Sequence, residues 1–173
     1  MKKAITGPTW DAILHVALHM RERDRAELFA NRWDDSALGV AESTIAIKDQ
    51  GLLYVGWLED TPVVVYGARP IWPGVWTVYA YATDDFPRIG GYVTRHIRRA
   101  MMPGLLLMGA HRAQCYSLAS HDVAHRWLTA LGASRDARLP AFGKNGEDFI
   151  LFSWTAETFD VHGRSPRRQQ PAD

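Results

Sequence analysis

The sequence predicts an α+β architecture, with helices layered on a mixed, mostly antiparallel sheet. Three observations predict it. Apolar residues fall at helical spacing through the first quarter of the chain. The stretch from Leu52 to Thr83 is then dense in valine, tyrosine and tryptophan, and is punctuated by Glu59-Asp60 and Pro73-Gly74. After it, helical patterns and short apolar runs alternate.

Each element follows from local chemistry. Thr9 can cap a helix from Trp10, whose apolar positions Ile13, Leu14, Ala17, Leu18 and Met20 share a face. The charged run "RERDRAE" reads as a solvated turn before a short helix from Ala26 to Asn31. "DDSALGVAESTIAI" offers an aspartate cap and a third helical segment, weakened by Gly39. Strands are expected at Leu52 to Leu58, Pro62 to Ile71 and Val75 to Thr83, joined by hairpin turns, with Pro62 and Pro70 at strand ends where a missing N–H is tolerated. A helix opening at Gly91 should run to about Met102 and stop before Pro103. "LLLMGAHR" adds a helical turn and "AQCYSLA" a buried strand. Ser120 then caps a helix through Leu131 that Gly132 ends. "RLPAFGKNGEDFILFSW" reads as two strands around Lys144-Asn145-Gly146. Residues 1–158 therefore read as one domain, and 159–173, almost devoid of apolar residues, as a disordered tail.

Bulk properties exclude several classes. Twenty basic and nineteen acidic side chains leave a formal charge of +1, so a general nucleic-acid binder is not expected. The lone Cys115 forbids an intramolecular disulfide, which suits a reducing cytoplasm. The start has no apolar leader segment, and runs such as "LLLMGA" are too short to span a bilayer.

The stretch "TDDFPRIGGYVTRHIRRAM", Thr83 to Met101, carries the main functional signal. A strand leads in and a helix leads out, with a glycine pair beside an arginine. A helix N-terminus offers unpaired N–H donors and about half a positive charge, and glycine permits close approach of an anion. Arg88, Gly90, Gly91 and Tyr92 are thus candidates to cradle a pyrophosphate. The same residues also read as a tight turn with a solvated arginine. Asp84 and Asp85 oppose a diphosphate by about 1 kcal/mol each if exposed.

The order of elements resembles the GNAT acetyltransferase fold, in which Arg/Gln-x-x-Gly-x-Gly/Ala opens a helix over the pyrophosphate of acetyl-CoA. Here the pattern falls on Arg88 to Val93: Arg88 and Gly91 match, and Val93 replaces a small residue. "HDVAHRWLTALGA" is similar to that family's late helix, Asn-x-x-Ala-x-x-x-Tyr-x-x-x-Gly-Phe. Ala124 and Gly132 match, whereas His121, Leu128 and Ala133 replace the asparagine, tyrosine and phenylalanine. The tyrosine serves as the general acid in many members, and the strand "WTVYAYAT" carries no carboxylate, so no catalytic residue is assigned.

A narrower resemblance covers most of residues 1 to 154. "MRERDRAELFA", "GVWTVYAYATDD", "HRWLTALGA" and "GKNGEDFILFSW" resemble internal virion or head-assembly proteins of short-tailed phages that carry a GNAT-like fold. That resemblance implies a phage-encoded protein made in the bacterial host cytoplasm. It implies a virion-associated or assembly role, with phage structural or host proteins as partners. The alternative it leaves open is an acetyl-CoA-dependent N-acetyltransferase acting on an amine of a small molecule or host protein.

Other motifs have plainer readings. His121 and His125 in "HDVAH" share a helical face as in a zinc signature, but no third ligand is marked, and a capped helix explains the segment. Cys115 alternates like a buried strand residue. Arg95, His96, Arg98 and Arg99 form a basic stripe that reads as a solvated face. Trp57, Trp72, Trp76, Trp127 and Trp154 read as core or sheet-face residues, with exposure expected for Trp72 only where it lies on the turn with Pro73.

Overall fold

The computed structural model describes residues 1–158, and the tail expected over 159–173 lies outside them. One seven-stranded sheet runs through the molecule in the order β1-β2-β3-β4-β5-β7-β6. Its strands are β1 (Lys3–Thr6), β2 (Leu52–Leu58), β3 (Thr61–Trp72), β4 (Val75–Ala82), β5 (Arg112–Leu118), β6 (Ser134–Leu139) and β7 (Phe149–Thr155). Every pairing is antiparallel except β4 with β5. The expected α+β class and the three-strand meander are therefore observed.

The helices form two layers. The helices α1 (Trp10–Leu18), α2 (Glu22–Ala30) and α3 (Ala37–Ala46) precede the meander. Ile13, Val16 and Ala17 of α1 and Val40 and Ala41 of α3 meet Leu53, Val55, Val65 and Tyr81 in one core. The opposite face carries α4 (Phe86–His96), a π-helical turn (Ile97–Met101), α5 (Met102–Leu107) and α6 (Asp122–Ala130). There Ile89, Val93, Met101, Leu105 and Leu128 pack on Val64, Tyr66, Ala82 and Phe152. Alternation along β3 explains the split, because Val64 and Tyr66 face one layer and Val65 the other.

Several boundaries differ from the sequence expectation. The second helix begins at Glu22, not Ala26, so the charged run lies inside it. Ser36 rather than an aspartate caps α3, accepting the Gly39 N–H at 3.0 Å. His121, with no side-chain cap bond, stands at the N-cap of α6. The largest shift is in α4, which starts at Phe86 rather than Gly91. Asp84 and Asp85 form the turn, and Pro87 sits in the first helical turn, where its missing N–H costs nothing.

The chain also stays helical past Pro103. Proline cannot donate to the carbonyl four residues back, and the backbone slips to a wider turn just before it. The Met102 N–H reaches Ile97 O, five residues back. Close packing of α4 on β2 needs Gly56, where an added Cβ would meet Val64 Cγ1 at 2.6 Å and Ile89 Cδ1 at 3.3 Å.

Candidate functional site

The sheet parts at its parallel step. Val75, Trp76 and Thr77 pair with Arg112, Ala113 and Gln114, and pairing then ends. On their other sides β4 remains paired with β3 to Ala82, and β5 with β7 to Leu118. The inner edges of Val78–Ala82 and Cys115–Leu118 thus diverge. Alternation tells which groups face the gap. Thr83 donates its N–H to Val63 O on the β3 side and Ala119 to Asp148 O on the β7 side, so Ala82 and Leu118 face inward. Two residues back, Ala80 and Tyr116 direct their backbone groups into the gap as well.

A cavity of ≈ 230 Å³ runs through this gap. On the side of α4 to α6 it is apolar, with Ile97, Met101, Leu105, Cys115, Leu128 and Trp154 on its wall. On the α2 side it is polar, with Arg21, Asp24, Glu27, Ser117 and His121. Burial pushes the Cys115 thiol up, which keeps it protonated and makes it a small apolar wall residue.

The polar end is a connected network. Asp24 is 4% exposed and takes two contacts of 2.8 Å from Arg21 Nη2 and one of 2.8 Å from the Ala82 N–H. Glu27 Oε2 accepts from Ser117 Oγ at 2.7 Å, from the Leu118 N–H at 2.7 Å and from His121 Nδ1 at 3.0 Å. The buried His121 ring bridges the acids, with Nε2 3.6 Å from Asp24 Oδ1. Burial raises the Asp24 pKa, and the Arg21 guanidinium and the Ala82 N–H oppose that rise. Arg21 also lies over the Phe86 ring at 5.0 Å, tying α2 to the start of α4.

The sequence-predicted cradle is placed differently from its expectation. Arg88, Gly91 and Tyr92 lie on the exposed surface of α4, with Gly90 half-buried. An α-helix bonds each N–H to the carbonyl four residues back. In a helix that begins at Phe86, the N–H groups of Gly90, Gly91 and Tyr92 therefore turn towards Phe86, Pro87 and Arg88. Arg88 Nη1 contacts Asp85 Oδ1 at 2.8 Å, both side chains being half-exposed. A Cβ at Gly91 would meet nothing within 4 Å, and one at Gly90 would make an ordinary 3.5 Å contact with Phe86.

The groove between α4 and α6 is clasped. Trp127 Nε1 donates to Thr94 Oγ1 at 2.9 Å, its ring meets Phe86 edge-on at 5.2 Å, and Arg98 reaches the Ala130 carbonyl. Leu128 occupies the wall where the resemblance would put a tyrosine. His121 and His125 do not converge on a common point of coordination, since His125 Nε2 contacts Leu118 O at 3.1 Å. Among the described residues, no group of three His, Cys, Asp or Glu is placed to hold a metal ion. The basic stripe is partly engaged: His96 Nδ1 lies 2.8 Å from Tyr66 Oη, and Arg98 is bonded as above. Trp72 is exposed, and so is Trp33, which the sequence reading did not single out.

Sequence reasoning missed Arg21, Asp24 and Glu27, because "RERDRAE" looked solvated. One signal was available: Asp24 and Glu27 are three residues apart and share a helical face.

An antiparallel meander, a parallel step that parts, and a closing β5-β7-β6 unit together define the GNAT acetyltransferase fold. Comparison with solved structures bears this out. The ribosomal-protein-S18-alanine N-acetyltransferase from Escherichia coli superposes with a TM-score of 0.65 at 13% identity, over 89% of this chain and 94% of that one. The putative acetyltransferase yncA from Salmonella typhimurium, solved with its cofactor acetyl-CoA, gives 0.69 at 13% identity, over 96% and 99%. AAC(6')-Ib, in complex with ribostamycin and coenzyme A, gives 0.67 at 14% identity, over 96% and 100%. No family model matches the chain, and no curated protein matches it in sequence. Among the described residues, no helix is long and apolar enough to cross a membrane.

Proposed function

We propose that this protein is an acyl-CoA-dependent N-acyltransferase acting on an amine. One observation carries the reading: the parting of β4 from β5 opens a cavity that is apolar at one end and holds two carboxylates and a histidine at the other. At ≈ 230 Å³ the cavity lies below the roughly 300–1,000 Å³ of a pocket that engulfs a drug-sized molecule, so it suits the acyl end of a donor and not its nucleotide.

The fit of acetyl-CoA rests on two features. The apolar wall of Met101, Leu105 and Trp154 excludes water from a thioester. Outside the cavity, Arg88, Gly90, Gly91 and Tyr92 form the surface assigned to the phosphates. Two glycines inside a helix cost about 0.5–1 kcal/mol each relative to alanine. No packing within the chain demands them, as the open space around Gly91 shows. Close approach of a phosphate to this face, held by the Arg88 guanidinium because the N–H groups of Gly90, Gly91 and Tyr92 bond within the helix, would offset that cost. The Arg88–Asp85 pair is a surface contact worth about 0–1 kcal/mol, so an incoming phosphate can take Arg88 cheaply.

When bound, acetyl-CoA supplies an activated acyl group. The chain's own part is to orient the amine and take a proton from it, and Asp24, Glu27 and His121 are the groups at the cavity able to do so. Titration calorimetry with acetyl-CoA, followed by amine-dependent thiol release, tests this. Saturable binding with release is expected. No heat at about 1 mM, weaker than about −4 kcal/mol, would sink it.

A second reading keeps the scaffold and drops the chemistry: a phage-encoded, virion-associated or assembly protein that binds phage or host proteins. The clasp of Trp127 on Thr94 and Phe86, with Leu128 in place of a tyrosine, supports the loss of chemistry, while the virion role rests on the sequence resemblance. Co-purification with phage particles, together with a null calorimetric result, is the outcome that selects it.

A further inference from the structure

We infer that α2 is an intramolecular plug, held in the β4–β5 opening by polar bonds and displaced when a donor enters; the inference rests on the acyltransferase reading. Strand edges that separate must find other partners for their backbone groups. At the end of β4 both inward groups of one residue are taken by α2 and its cap. The Arg21 N–H donates to Ala82 O at 2.9 Å, and the Ala82 N–H donates to Asp24 Oδ2 at 2.8 Å. Across the gap, Glu27 takes the Leu118 N–H at 2.7 Å. One donor and one acceptor offered to a single strand residue is what an added strand, or a ligand carrying amides, would offer. The arm of an acyl-CoA carries two amides. Arg21 and Asp24 thus hold the place that such an arm could take.

A second observation sets α2 apart from the core helices. Helix α1 buries Ala12, Ile13, Val16 and Ala17, whereas α2 buries only Asp24 and Ala30. Its apolar hold is the buried Ala30 and the half-buried pair Leu28 and Phe29. An element fastened by few apolar contacts opens at less free energy than the core. Release frees Ala82 and Leu118 for the donor. The same movement carries Asp24 and Glu27 away from the strand edges and leaves His121, at the start of α6, as the proton-accepting group at the cavity.

Amide hydrogen exchange and calorimetry on the full chain test the plug, with acetyl-CoA as probe. In the wild-type protein, saturating acetyl-CoA should speed exchange at Leu28 and Phe29 while Ala82 stays protected. Glu27→Ala should raise exchange at Leu118 and tighten acetyl-CoA binding at least tenfold, within the roughly 5–150-fold range of coupled sites. Glu27→Gln, which keeps an acceptor oxygen, should fall between the two. Acetyl-CoA binding that leaves α2 protection unchanged overturns the plug but not the acyltransferase reading. So does a folded Glu27→Ala protein with unaltered or weaker affinity. Should neither protein bind acetyl-CoA, both readings fall.

Discussion

The two edges of β4 show opposite solutions to one problem. Towards β3 its backbone is paired from Val75 to Ala82, with side chains such as Tyr81 sealed into the α1–α3 core. Towards β5 the pairing lasts three residues, and the remaining groups are met at Ala82 by a helix cap and a carboxylate. The first edge is stabilised by burial, which is non-directional and hard to undo. The second is stabilised by a few polar bonds whose net worth is about 1 kcal/mol each. A ligand can compete with the second kind of edge and not with the first.

The comparison breaks first at the core edge. Tyr81→Ala removes a ring that is 1% exposed and its bond to Thr44, and should cost about 3–5 kcal/mol in urea unfolding. An effect below about 1 kcal/mol would mean that the paired edge is not the rigid one. At the parted edge, Asp24→Ala leaves Arg21 and the Ala82 N–H without their acceptor. The expected loss is about 1–3 kcal/mol, with exchange at Ala82 rising and exchange at Tyr81 little changed.

Acid sharpens the contrast. Burial lowers the pKa of His96, whose Nδ1 meets the Tyr66 hydroxyl. A histidine with a depressed folded pKa contributes stability above its ordinary value, and loses it as pH falls through the folded value. Stability should therefore drop between about pH 7 and pH 5, with His125 adding in the same direction, and His96→Gln should flatten part of that drop. Asp24 has the opposite sign. Its raised pKa means that the fold takes up a proton first, so the parted edge gains relative stability as pH falls towards the ordinary carboxylate range. The smallest effect is expected at Arg88→Ala. Its pair with Asp85 is on the surface, so stability should change by less than about 1 kcal/mol, while acetyl-CoA affinity falls.

Much of this architecture was legible in the residues. The Val/Tyr/Trp-rich meander declared itself because β2, β3 and β4 are bounded by turn-forming residues and end close to the expected positions. The start of α4 was misplaced because a glycine pair reads as a break, while the helix is in fact begun by a proline that tolerates its first turn. The charged run of α2 was misread for a different reason. Local patterning cannot distinguish a carboxylate facing water from one facing a strand edge brought in from 58 residues away, as with Asp24 and Ala82.

By itself, then, the sequence determined the class of fold and the order of its elements. Those follow from periodicity and turn chemistry, which act over a few residues. Only the tertiary structure decided that β4 and β5 part after Thr77, that a cavity opens there, and that Asp24 and Glu27 close its polar end. Unpaired backbone groups on two separated strands set that demand, and neither strand nor α2 carries a mark of the other until the chain has folded.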